Sequence, residues 1–225
     1  SAEALHTEGQ VMVDLLNRLK IDAFAAGNWD FLYGPKRFIE LFAGKAPKAP
    51  WGAVAANLYY ATLYDFPATP FVRQAGKRVL PPYREYTVGG LKIAVIGLVA
   101  DRPPQAVSTH VLDGFTLTPG VEELQFLVPR LRKTHDVVVL ASERGLAGNL
   151  DLAERVPGID LVLSSDMHEE SWQVLRAKTG TLLIEEGQDG TMVGEITLNV
   201  ANGKVVSHRH VAHRIVDKQL PADAA

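Results

Sequence analysis

The chain has 225 residues, 47% hydrophobic and 22% charged, which suits one sizeable globular domain that buries its own core. A net charge of −3, a pI near 6.2 and scattered Lys and Arg leave no electrostatic footprint for nucleic acid. The lack of cysteine excludes disulfides, thiolate catalysis and Cys-based metal sites, and no apolar run approaches the roughly 20 residues of a membrane span. No secretory leader is visible at the start, as expected equally of a mature exported protein.

Helical spacing of Val11, Leu15, Leu16 and Leu19 predicts a helix over 7–20. IDAFAA (21–26) reads as a strand, with a loop at 27–34. Pro35 opens a short helix that ends at Gly44. WGAVAANLYY (51–60) reads as one buried strand, and residues 61–82 as a proline-rich surface excursion. Two β-rich runs flanking Gly89-Gly90 predict a hairpin over 83–99. Its second run is apolar enough to be buried on both faces. Thr118 and Pro119 suggest a cap and first position for the next helix, and Pro129 should kink it or end it early. Strands follow at 136–142 and 159–165, around a short helix at 149–156. The tail (181–216) is strand-like throughout. Strands and helices alternate first and strands alone follow, which fits an α/β fold in one domain over 1–225.

In α/β proteins ligands gather at the carboxyl ends of strands. Here those ends deliver Asn28-Trp29-Asp30, Asn57, Asp101 and Arg102, Glu143 and Arg144, then Asp166 and His168. Asn, Asp, Glu and His form a ligand list for a divalent cation. Each also has a plain reading. Asn28 suits a turn, Glu143 and Arg144 suit a surface ion pair, Asp166 suits a turn cap, and His168 beside two glutamates suits solvent. SHRHVAH (207–213) looks like a metal tract, but its alternation favours a solvated strand face.

These residues carry a family resemblance. GNWDFLYG (27–34) resembles the Gly-Asn-His-Glu-Phe-Asp-Tyr-Gly motif of 5'-nucleotidases in the calcineurin-like metallophosphoesterase superfamily. AANL (55–58), GGLKIAVIGLV (89–99) and EEGQDGTMVGEITLNV (185–200) resemble its strands. The longest match is 137–169, where the family typically carries Ser-His-x-Gly and Gly-Gly-His-x-His. Trp29 and LPADA (220–224) look most like the thiosulfohydrolases of bacterial sulfur oxidation, which are periplasmic and use two manganese ions.

The resemblance implies a two-sheet αββα sandwich and a metal-dependent hydrolase acting on a phosphoester or sulfur-bound sulfonate. It implies Asn28, Glu143, Asp166 and His168 as metal ligands, Asn28, Trp29 and Asp30 as catalytic residues, and Trp29 and Arg144 as substrate contacts. Departures accompany it. The family's early Asp-x-His and Gly-Asp strands do not occur, so this is either a fragment or a chain that lost those strands. Trp29 replaces a catalytic His, and Glu143 and Asp166 replace ligand histidines. The oxygen-rich remainder implies a single divalent cation, manganese first, or none at all. The alternative is a degenerate member that serves as a binding or scaffolding module. Expected partners are a small-molecule substrate or a protein. A dimer or partner chain is expected to cover exposed sheet edges.

Overall fold

The computed structural model describes residues 2–44, 46–62, 75–100, 102, 107–188 and 190–216. Most of the expected excursion at 61–82, along with Asp101 and LPADA, lies outside the described residues.

Helices α1 (Ala2–His6) and α2 (Gln10–Leu19) lead to β1 (Phe24–Ala25) and a 3-10 turn at Asn28–Phe31. Helix α3 (Gly34–Phe42) follows. The expected strand over 51–60 is two short strands, β2 (Ala53–Val54) and β3 (Leu58–Tyr60), in different sheets. Asn57 makes the break. Its buried carboxamide donates to Val99 O (3.0 Å) and Thr118 O (2.9 Å) and accepts from Val99 N (3.0 Å). It is therefore a structural cross-link, away from the site. β2 pairs with β1 in parallel, and β3 pairs with β6 (Phe115–Leu117) antiparallel.

The hairpin is present as β4 (Tyr83–Val88) and β5 (Leu91–Leu98) around Gly89-Gly90. β5 opens a run of parallel pairs with β7 (Val137–Ser142), β8 (Leu161–Ser164) and β10 (Leu182–Ile184). β4 and β9 (Leu175–Arg176) close the two edges antiparallel, giving the order β4-β5-β7-β8-β10-β9. Side chains alternate along these strands. Ala94, Ile96, Leu98, Val138 and Leu140 pack with helices α4 (Val121–Leu131) and α5 (Gly145–Arg155). Ile93, Val95, Val137 and Val139 pack on the antiparallel pair β11 (Met192–Ala201) and β12 (Lys204–Arg214). Helices α2 and α3 build a third cluster with the two short sheets. The mixed α/β architecture with several sheets is thus observed.

Two helix starts differ from the sequence reading. Helix α4 is preceded by Gly120 at φ 80, not by a Thr118 cap. A Cβ there would lie 2.1 Å from Leu98 Cδ1 and would have to displace that side chain, and the left-handed backbone favours glycine as well. Thr118 instead donates to Glu123 Oε1 (2.7 Å). Helix α4 also continues two residues past Pro129, to Leu131. Helix α5 begins at Gly145, because Glu169 Oε2 accepts from Leu146 N (2.7 Å) and satisfies a first-turn donor.

Candidate metal and substrate site

A polar cavity of about 440 Å³ opens where β1, β7, β8 and β10 end. Asn28, Trp29, Asp30, Glu143, Asp166 and His168 all line it, so the strand-end residues converge. Arg144 does not line it; its guanidinium donates to Pro119 O.

The Asn28–Phe31 turn is fixed by its own acid. Asp30 Oδ2 accepts from Gly27 N (2.8 Å), and Asp30 N bonds Gly27 O (3.2 Å). Burial pushes the Asp30 carboxyl up to about 6. Trp29 is 67% exposed and stands at the rim. Asn28 Nδ2 donates to Asp166 Oδ1 (2.6 Å), whereas its carboxamide oxygen is buried without a hydrogen-bond partner. Gly27 has ordinary extended backbone, but a Cβ there would lie 2.5 Å from Glu143 Oε2. Glycine is what lets the turn close on that carboxylate.

Glu143 accepts from Ser165 Oγ. Burial, followed by the nearby charges of Asp166, Asp30 and Glu185, raises its carboxyl to about 7. Asp166 is clamped by Asn28 on one oxygen and by the Arg102 guanidinium on the other. Both Asp166 (φ 95) and His168 (φ 58) hold left-handed backbone. That conformation is uncommon away from glycine and clusters at functional sites.

Sequence reasoning missed the residue that shapes this loop. Glu185 is 2% exposed. Its carboxylate accepts from Ser164 Oγ (2.6 Å) and Glu169 N (3.0 Å). Behind it, Asn149 joins Ser142 (2.6 Å) to Ser164 (2.9 Å). The available signal was the acidic pair closing TLLIEE, a polar strand end of the same kind as the others. The neighbouring Glu186 also lines the cavity, and its Oε1 lies 2.5 Å from His210 Nε2. His213 Nε2 lies 3.0 Å from Glu195 Oε2 on the paired strand, so SHRHVAH is part of a strand in which two of the three histidines meet a glutamate.

No family model matches the chain. It is 29% identical over 219 residues to the uncharacterized metallophosphoesterase YunD of Bacillus subtilis, covering 92% of this chain and 42% of that protein. Among solved structures, the sulfate thiohydrolase SoxB of Thermus thermophilus superposes with a TM-score of 0.81 at 23% identity, over 97% of this chain and 37% of that one. A 5'-nucleotidase precursor, also from Thermus thermophilus, gives 0.75 at 23% identity, over 96% of this chain and 43% of that one. These similarities support membership of the calcineurin-like 5'-nucleotidase family, and the fold is the one those proteins share. It spans less than half the length of the curated relatives it matches. No described helix is long and apolar enough to cross a membrane.

Within this 5'-nucleotidase-type fold, fit to a divalent cation has a clear balance. For it stand the orphaned carboxamide oxygen of Asn28 and a Glu143 carboxyl raised to about 7, by burial first and by nearby acids after it. Against a preformed cage, no three His, Asp or Glu side chains among the described residues stand close enough to hold an ion. Asn28, Glu143, Asp166 and His168 line one cavity, with Asn28 in direct contact with Asp166.

Proposed function

We propose that this domain is the catalytic part of a metal-dependent hydrolase of the 5'-nucleotidase type, acting on a phosphoester or a sulfur-bound sulfonate with one divalent cation. The observation that carries the reading is the buried, unpartnered oxygen of Asn28 set beside Asp166 and near Glu143. Such an oxygen is costly unless something binds it.

Asn28, Glu143, Asp166 and His168 would hold the cation, and the oxygen-rich set favours Mn²⁺, Mg²⁺ or Ca²⁺ over zinc. Such an ion supplies a water of lowered pKa and positive charge for a developing anion. Glu143, raised to about 7, would have to release its proton to serve as a ligand. Arg102 orients Asp166 and adds a second positive group beside the pocket. The Trp29 indole offers only an N–H donor and an apolar face, so it binds rather than transfers a proton. Periplasmic residence, and a partner chain or second copy over the open edge of β1, belong to the same reading.

Two observations favour the alternative, a binding module without turnover. Arg102 already neutralises Asp166, and Trp29 stands where the family carries a catalytic histidine. Elemental analysis followed by calorimetric Mn²⁺ titration separates the two. The hydrolase reading expects about one ion per chain, lost in Asp166→Ala. No binding at millimolar Mn²⁺ overturns it.

A further inference from the structure

Behind the Asn28–Phe31 turn lies a second cavity, of about 590 Å³. Met12, Val13 and Leu16 of α2 face Leu41 and Phe42 of α3 across it. It shares Phe24, Trp29 and Asp30 with the acidic pocket, so the two hollows meet at one wall. Its size falls within the roughly 300–1,000 Å³ of small-molecule sites.

The chemistry of this hollow is the opposite of its neighbour's. No Lys, Arg, His, Asn or Gln lines it among the described residues. Its two oxygen-bearing side chains are engaged elsewhere. Asp30 closes its own turn on Gly27 N, and the Tyr33 hydroxyl donates to Ala4 O (2.7 Å). A nucleobase placed here would leave its donors and acceptors unpaired, which disfavours it strongly. An aryl or alkyl group would lose nothing and would remove apolar surface from water. The Trp29 indole, common to both hollows, is placed to pack on such a group where it joins a polar head.

We propose that this cavity receives the aryl or alkyl group of an ester whose anionic head occupies the acidic pocket. The head-group half rests on the cation reading above, whereas the cavity half does not. The preferred substrates are then apolar monoesters rather than nucleotides.

The test is calorimetry on the full chain. With Mn²⁺ present, the probes are 1-naphthylmethylphosphonate, methylphosphonate and AMP. Without metal, the probe is 2-naphthol. The naphthyl phosphonate should bind at least about tenfold tighter than methylphosphonate, and tighter than AMP. Met12→Trp fills the hollow from a half-exposed helix position, and its circular dichroism verifies the fold. It should erase the naphthyl advantage and the 2-naphthol binding. If no phosphonate binds while 2-naphthol binds and Met12→Trp blocks it, the cavity half stands and the cation reading falls. Equal affinity for the two phosphonates with no saturable 2-naphthol binding, or AMP binding tightest, overturns the proposal.

Discussion

Two walls face each other across the acidic pocket, and different forces hold them. The wall at the ends of β7, β8 and β10 is cross-linked by buried hydrogen bonds through Ser142, Asn149, Ser164 and Glu185. The wall at β1 and the Asn28–Phe31 turn rests on rings. Phe31 stacks on Phe38 at 4.6 Å, and Phe24 stacks on Phe42 at 5.3 Å. Directional bonds fix positions to tenths of an ångström, whereas ring packing tolerates sliding. Glu143 and Asp166 therefore sit beside the cross-linked wall, and Asn28 is brought to them by the softer one. Outside the rings, α1 buries nothing and α2 buries only Val13.

The largest expected effect tests the cross-linked wall. Glu185→Ala leaves Ser164 Oγ and Glu169 N without their carboxylate partner at a position only 2% exposed. The cost should be about 2–4 kcal/mol, read by urea denaturation, with Glu185→Gln losing less. A loss under about 1 kcal/mol would show that water substitutes freely there and that the wall is not rigid.

Next comes the point where the walls touch. Gly27→Ala keeps an allowed backbone (φ −98) yet sets a Cβ 2.5 Å from Glu143 Oε2. The expected result is a stability loss of about 1–2 kcal/mol and weakened Mn²⁺ binding. If both are unchanged, the turn slides away at no cost and the softer wall is softer than the ring contacts suggest.

Legibility in the sequence follows the same division. Short continuous apolar runs announced β5, β7 and β8, because a strand buried on both faces carries that signal within its own few residues. The ends of β1, β7 and β8 then pointed to Asn28, Glu143, Asp166 and His168, which do line one cavity. What stayed hidden depends on distant partners. Asn57 breaks its strand by bonding Val99 and Thr118. Glu169 sets the start of α5 from beyond β8. Arg102 rather than Arg144 turns to the site, because Arg144 is drawn to Pro119 O. No window of neighbouring residues contains those contacts.

An effect of comparable size and opposite sign concerns charge on the cross-linked side. The Glu143 carboxyl is raised to about 7 from an ordinary value of 4.5. Between those values the unfolded chain ionises first and binds fewer protons, so stability falls as pH rises through that window. Below it both states are protonated, and above it both are ionised, so the slope flattens. Glu143→Gln should remove the decline and stabilise the metal-free protein at pH 8 by roughly 2 kcal/mol, discounted for partial exposure. Mn²⁺ binding near pH 6 should release close to one proton, visible as a buffer-dependent enthalpy. Proton release that persists in Glu143→Gln would assign the titration to another group, with Asp30 at about 6 the next candidate.

The smallest expected effect probes the outer side of the softer wall. Leu15 is 50% exposed and Leu19 65% exposed on α2. Replacing both with lysine removes little buried area and places cations toward the C-terminal end of the helix, where its dipole favours them. For an isolated chain the change in stability should lie within about 0.5 kcal/mol, and amide exchange in α2 should remain faster than in β7. A loss above about 1 kcal/mol that grows with protein concentration carries a different meaning. It would show that these leucines are covered by a second copy in solution, and that the ring-packed wall is completed from outside the chain rather than from within.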